Sequence, residues 1–377
     1  MSSSPLAGIR VVEISSFVAV PLAGMTLAQL GAEVVRIDPI GGAADYHRWP
    51  LTEAGESIYW AGLNKGKRSM EVDMRSPDGQ RLVQRLIAAA GVFITNVAGR
   101  QWHSYETLSA LRPDLIALEV LGRADGSTGV DYTINAATGF PLVTGPADHV
   151  GPVNHVLPAW DISCGLYAAL AILAALRRRD ATGAGSDIRL PLDDVALATA
   201  ANLSFLTEAM VTGAQRPRLG NAIFGQYGQD FRSSDGVAFM VVALTPRHFR
   251  DLVSLTGVAE AVATMNVDLD DEGTRYEHRD ALNHLFAPWF AAHTAAEIEA
   301  ALGDSSVLWE RYQSFTDVAV SPRVTGNPMF APLDQPGIGT YLAPGLPMSV
   351  DGTHTAASPA PVFGQDNAAL PKEWLGE

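Results

Sequence analysis

Gly8-Ile9-Arg10-Val11-Val12-Glu13-Ile14, then Pro21-Leu22-Ala23-Gly24-Met25-Thr26-Leu27-Ala28-Gln29-Leu30, then Val34-Val35-Arg36-Ile37: these three pieces decide the fold. The first and third are short and β-branched, as strands require. The middle piece is small and apolar, with Leu22, Met25, Leu27 and Leu30 at helical spacing. Gly31 stands where a helix C′ position takes a left-handed residue. Strand, helix and strand in so short a span make a βαβ unit, whose two strands must run parallel.

The same alternation continues along the chain. Arg68 to Met74 reads as a strand, and Ser76 as N-cap with Pro77 at N1 opens a helix. Val92 to Thr95 and Leu115 to Val120 are strands, Ile162 to Arg179 a helix, Ile188 to Leu190 a strand, and Asp193 to about Met210 a helix. The expected fold class is α/β: a doubly wound parallel-sheet large domain over residues 1–215. A second, smaller α/β domain is expected at 225–320, with a strand over Val237 to Leu244 and helices from Pro246 and over Arg279 to Ala301. Residues 327–377 are dense in Pro and Gly and are expected to return to the large domain.

At 377 residues and 47% hydrophobic content, two cores can be filled. The net charge of −15 comes without a basic face, which argues against a nucleic-acid partner. An anionic ligand must then be met by local Lys or Arg side chains or helix N-termini. The longest apolar stretch, Leu166 to Leu176, ends in Arg177-Arg178-Arg179 and is too short to span a bilayer, so no membrane partner is expected. Met1 to Ala7 has neither a basic nor an apolar signal region. The single cysteine, Cys164, excludes an internal disulfide and fits a reducing, cytoplasmic location.

Few residues invite chemistry. In Trp160-Asp161-Ile162-Ser163-Cys164-Gly165, the restriction that Pro158 imposes makes the helix begin after it, so Asp161 falls at the N-cap or in the first turn. Free N–H groups and the helix dipole lower a carboxyl pKa there, so Asp161 is expected to be ionised and nucleophilic. An ordinary capping Asp fits the same local pattern, and on that pattern alone fits it better. Cys164 could be a thiolate nucleophile, but a lone Cys on an apolar helix is more often packing. Asn154-His155 could supply an acid/base or hydrogen-bonding group, or be an idle loop. No His, Cys, Asp or Glu cluster has metal-ligand spacing, so no metal is expected. Gly62 to Arg68 is a basic loop that could meet phosphates. It lacks P-loop glycines and reads more simply as a solvated turn. Arg177 to Arg179, Arg216 and Arg218 likewise read as solvated charge.

Taken in order, several segments resemble the family III CoA-transferases over nearly the whole chain. They are Leu6-Ala7-Gly8-Ile9-Arg10-Val11-Val12-Glu13, Leu30 to Ile37, Asn64 to Asp73, Asp161 with Gly165-Leu166-Tyr167-Ala168-Ala169-Leu170, and Thr182-Gly183-Ala184-Gly185. The resemblance implies coenzyme A as a thioester substrate, no permanently bound cofactor, and an interlocked homodimer. It implies Asp161 as the nucleophile, acting through a mixed anhydride and an aspartyl-CoA thioester. It places substrate or CoA contacts at Ser16, Phe17, Ala19, Val72, Arg75, Asn96, Val97, Arg100 and Asp131. Pro39 stands where some relatives have an adenine-stacking arginine, and Val97 where an aromatic is usual. Racemases of the family carry a His just before the position of Asp131; Val130 stands there, which favours transferase chemistry.

A narrower resemblance rests on Ser16-Phe17-Val18-Ala19, Asp38-Pro39-Ile40-Gly41-Gly42, Asp45-Tyr46, Tyr59 to Arg68, Asn154 to Ile162, Asn327-Pro328-Met329-Phe330 and Gln335-Pro336-Gly337-Ile338-Gly339. These are similar to the mesaconyl-CoA C1–C4 CoA-transferases, or 2-methylfumaryl-CoA isomerases. That likeness implies intramolecular CoA transfer between the two carboxyls of one C5 dicarboxylate. Tyr46, Arg48, Asn154 and His155 are candidates for holding the free carboxylate. The alternatives are intermolecular transfer between two acids, an α-methylacyl-CoA racemase, and a CoA-ester binding protein without turnover.

Overall fold

The computed structural model describes residues 4–97 and 99–377, and they form two compact units. The first holds the chain up to Thr138, Val156–Thr212 and Ser321–Glu377; the second holds Gly139–His155 and Gly213–Val320.

In the first unit strands and helices alternate as the hydrophobic pattern requires: β1 (Arg10–Ile14), α1 (Ala19–Gln29), β2 (Glu33–Asp38), α2 (Ile58–Leu63), β3 (Arg68–Glu71), α3 (Pro77–Ala90), β4 (Val92–Thr95), α4 (Tyr105–Leu111) and β5 (Ile116–Leu121). Next come α5 (Asp131–Ala137), α6 (Phe140–Val143) in the second unit, α7 (Ala159–Thr182), β6 (Ser186–Pro191), α8 (Leu192–Asn202) and α9 (Phe205–Thr212). The six strands form one parallel sheet in the order β3-β2-β1-β4-β5-β6. This is the doubly wound order, which reverses between β1 and β4.

Each sheet face has its own cover. Val12, Ile14, Val35, Ile37 and Phe93 pack under Val83, Leu86 and Ile87 of α3. On the opposite face α1 lies against α7. Small residues on α7 allow that approach: a Cβ added to Gly165 would sit 2.6 Å from the carbonyl oxygen of Ala19. By length and composition the 24-residue α7 is apolar enough to cross a membrane. Its Trp160, Cys164, Ala168, Ala169 and Ile172 are nevertheless buried in the protein, as in a core helix. The start of α3 is as expected, with the Ser76 hydroxyl accepting from Gly79 N and Pro77 at N1.

The second unit contains the antiparallel sheet β7-β8-β9, formed by β7 (Tyr227–Arg232), β8 (Ala238–Ala243) and β9 (Leu308–Arg311). Between β8 and β9 lie α10 (Pro246–Thr256), α11 (Ala259–Thr264), α12 (Glu272–Glu277), α13 (Arg279–Ala292) and α14 (Ala295–Gly303), and α15 (Phe315–Val320) follows β9. Phe231 stacks on Phe290 at 4.4 Å in its core. The reading of Arg218 as solvated charge does not hold. Its guanidinium donates to the carbonyls of His149 (2.8 Å), Pro141 (3.2 Å) and Gly151 (2.6 Å), tying the 139–155 excursion to its own unit.

Two expected helices are each two shorter ones. The stretch from Asp193 is broken into α8 and α9, which meet at a 63° bend where Ser204 has φ +70°. The stretch 279–301 divides because Thr294 caps α14, its hydroxyl accepting from Glu297 N while the Glu297 carboxylate accepts from Thr294 N.

After α16 (Pro322–Thr325), the tail forms a hairpin of β10 (Phe330–Gln335) and β11 (Gly339–Pro344) and ends in α17 (Ala369–Leu375). The Asp366 carboxylate accepts from Ser69 N (2.9 Å) and Arg68 Nε (2.9 Å), so the tail covers the edge at β3. Leu370 and Trp374 of α17 join the core on the α3 side.

Candidate active site

In a parallel sheet of this order a ligand crevice opens beyond the carboxyl ends of the strands, where the order reverses. There β1 runs into Ser15-Ser16-Phe17, and β4 into Asn96-Val97. Asn96 joins the two ends: its Oδ1 accepts from Ser16 N (3.0 Å), and its Nδ2 donates to Ser16 O (2.8 Å). Phe17 has φ +66°, a left-handed conformation that a bulky residue adopts only where its surroundings enforce it.

Buried charge packs against the start of this loop, at Ser15. Arg36 is fully buried; it pairs with Asp38 (3.0 Å) and Asp45 (2.8 Å) and donates to Ser15 O (3.2 Å). Lys67 is buried too, donating to Glu13 (2.8 Å), Asn64 (2.9 Å) and Pro21 O (2.9 Å). Burial, partly offset by Glu13, pushes its ammonium down to about 8. The basic loop of residues 62–68 is therefore no solvated turn. Its Lys65 and Lys67 are both buried, with the Lys65 ammonium on Gly62 O.

Two cavities open at this crevice. One, of about 620 Å³, is lined by Ser16, Phe17, Ala19, Arg48, Tyr59, Asn96, Asp131, Tyr132 and Asp161, among others. The other, of about 840 Å³, is lined by Ser16, Pro39, Val72, Arg75, Val97 and Arg100, among others. Ser16 lines both. The structure thus brings most of the expected residues to one crevice, in two groups. Tyr46 stands apart, packed on Trp60 and Phe363 beside a different cavity of about 240 Å³. Asn154 and His155 belong to the second unit, although Val156, next in sequence, lines the first cavity.

Asp161 is the third residue of α7, within the first turn as its sequence implies. Its expected acidification by the helix end is overturned. Burial first, and the Asp131 carboxylate second, push Asp161 up to about 7, against the opposing pull of Arg48. The free N–H groups of Trp160 and Asp161 are turned to Asp131 Oδ2, at 2.8 and 3.1 Å. Cys164 is fully buried and burial pushes its thiol up to about 12, which leaves it as packing.

Arg48 lines the same cavity and lies over two rings, Phe17 at 5.4 Å and Tyr59 at 4.9 Å from their centroids. Burial, partly offset by Arg48, pushes the Tyr59 hydroxyl up to about 12, so it is a neutral donor. Tyr59 and Tyr132 were not singled out by sequence reasoning. The signal for Tyr59 was its place in the quoted 59–68 segment; Tyr132 had only its adjacency to Asp131. One cavity thus holds the Asp161 carboxyl together with Arg48, whose guanidinium lies over the rings of Phe17 and Tyr59, and Ser16 also lines the larger cavity that bears Arg75 and Arg100.

The sequence pattern of CoA-transferase family III matches residues 6–367. The chain belongs to CoA-transferase family III. This CoA-transferase is 46% identical to 2-methylfumaryl-CoA isomerase of Chloroflexus aurantiacus, over 98% of this chain and 94% of that protein. It is 27% identical to succinyl-CoA–D-citramalate CoA-transferase of the same organism, over 99% of this chain and 94% of that one. The crystal structure of a CaiB/BaiF family protein from Brucella suis has a TM-score of 0.83 and 27% identity, covering 99% of this chain and all of that one.

Proposed function

We propose that this CoA-transferase moves CoA between C1 and C4 of 2-methylfumaryl-CoA (mesaconyl-CoA), with Asp161 as nucleophile. The observation that carries the reading is the near-full-length likeness to a 2-methylfumaryl-CoA isomerase. The presence of Asp161 in one cavity with Arg48, which lies over the rings of Phe17 and Tyr59, supports it.

The Asp161 carboxylate attacks the C1 thioester carbonyl, forming a mixed anhydride and releasing CoA thiolate. The thiolate attacks the aspartyl carbonyl of that anhydride, giving an aspartyl-CoA thioester and freeing the C1 carboxylate. The C4 carboxylate of the same acid then attacks the aspartyl thioester, and the released thiolate closes the cycle at C4. No proton is gained or lost. Between the halves the acid carries two negative charges and has to stay in the cavity. Arg48 is the cation placed to hold it, and Tyr59 a neutral hydrogen-bond donor beside it. The larger cavity, with Arg75 and Arg100, takes the nucleotide end of CoA, while Ser16 and Asn96 lie along the pantetheine path.

The test is purified protein with the C1 ester alone and no added acid, followed by chromatography and mass. The C4 ester should accumulate to equilibrium. If it forms only when a free acid is supplied, transfer is intermolecular and the reading fails.

We further propose that the chain works as a homodimer. Helix α7 leaves Leu166, Tyr167 and Leu170 about half exposed, apolar area that a second copy would cover. Light scattering should return twice the 40.0 kDa of one chain, and a monomer mass would refute this.

A further inference from the structure

Asp131 opens α5 and lines the same cavity as Asp161, yet it is only 3% exposed. Its Oδ2 takes both of the α7 amides that the helix leaves open at Trp160 and Asp161. The residue at the N-cap, Pro158, contributes no side-chain cap, so Asp131 holds this helix end from outside. The other oxygen, Oδ1, is buried and has no hydrogen-bond partner among the described residues. Holding the two amides does not require a charge, because an asparagine carbonyl would accept the same bonds. A buried carboxyl group with one oxygen left without a partner is costly, so holding the two amides does not by itself account for an acid at this position.

We propose that Asp131 is a positioning residue for the reaction: it fixes the first turn of α7, from which the nucleophile projects, and sets a second negative charge against it. The groups facing Asp161 are Asp131 from α5, Arg48 and Tyr59 from the segment before β3, and Cys164 on its own helix. Asp131 is the only one of these named groups that opposes Asp161 with a carboxylate. The repulsion exists only while Asp161 is a free carboxylate. Once Asp161 is acylated, as anhydride or thioester, it is neutral and the repulsion is gone. Asp131 therefore favours the covalent intermediate over the resting enzyme.

This inference rests on Asp161 being the nucleophile, and the experiment separates the two claims. Asp131→Asn retains the backbone bonds and removes the charge. The acid limb of kcat/KM should move down by about one pH unit, and the fraction of protein carrying a CoA adduct at steady state, read by intact mass, should fall severalfold. KM for the ester should hardly move. An unchanged limb with an unchanged adduct fraction overturns the proposal. So does a raised KM at constant kcat, which would make Asp131 a ligand-binding group. Should Asp131→Asn not fold, Asp131→Glu serves: its retained charge should leave the limb in place while kcat drops, and a limb moved down refutes the idea. Asp161→Asn run alongside tests the parent reading. Turnover in that variant sinks the mechanism, whereas its inactivity with a wild-type profile in Asp131→Asn sinks only the role of Asp131.

Discussion

Asp161 lies at a helix N-terminus and is nonetheless a weak acid. A helix end contributes a fraction of a charge, and burial beside a second carboxylate outweighs it. The nucleophilic form appears only as pH passes about 7, so kcat/KM should climb through that value. A limb near 4 would contradict this. The same shift has a stability sign. A carboxyl that holds its proton more tightly when folded costs the fold stability as pH rises from the ordinary carboxyl value of 3.8 through about 7. Asp161→Asn should therefore raise Tm by several degrees at pH 8 and give no gain near pH 4. The sequence placed Asp161 in the first turn of α7 correctly. Its charge state was not legible, because the decisive neighbour lies thirty positions earlier and no local pattern records desolvation. Lys67 was misread for the same reason: its partner Glu13 is fifty-four positions away.

Helix α7 carries Asp161 at a depth set by its contact with α1. A methyl group on Gly165 would press on the Ala19 carbonyl, which is backbone and cannot step aside. Gly165→Ala should destabilise the fold by about 1–3 kcal/mol. It should also lower kcat more than it changes KM, since Asp161 lies about one turn away. Urea unfolding and steady-state kinetics read both, and full stability with full activity would show that the contact has slack. Regular elements were largely legible where the apolar spacing was strong, as in β1, α1 and β4. The break before α14 was also signalled, by Thr294 and Glu297 at capping-box spacing. Strand β7 was not, because Gly228, Gln229 and Asp230 dilute the alternation that buries Tyr227 and Phe231.

The alternating elements led to a doubly wound parallel sheet, and the crevice at its reversal point is where most of the expected residues collect. Division of the chain was harder to see. Residues 139–155 leave the first unit and return, held through Arg218, and contiguous sequence gives no sign of such an excursion. Tyr46 and Arg48 were both candidates for the free carboxylate on the strength of the narrower resemblance, but the fold sends the two side chains to different cavities. In the proposed mechanism CoA leaves and rejoins one and the same acid while Asp161 holds it. A crossover reaction measures this directly: C1 ester labelled in both acyl and CoA portions is mixed with unlabelled ester, and the C4 product is weighed by mass spectrometry. Only doubly labelled and unlabelled product should form. Singly labelled product at the statistical ratio would contradict it.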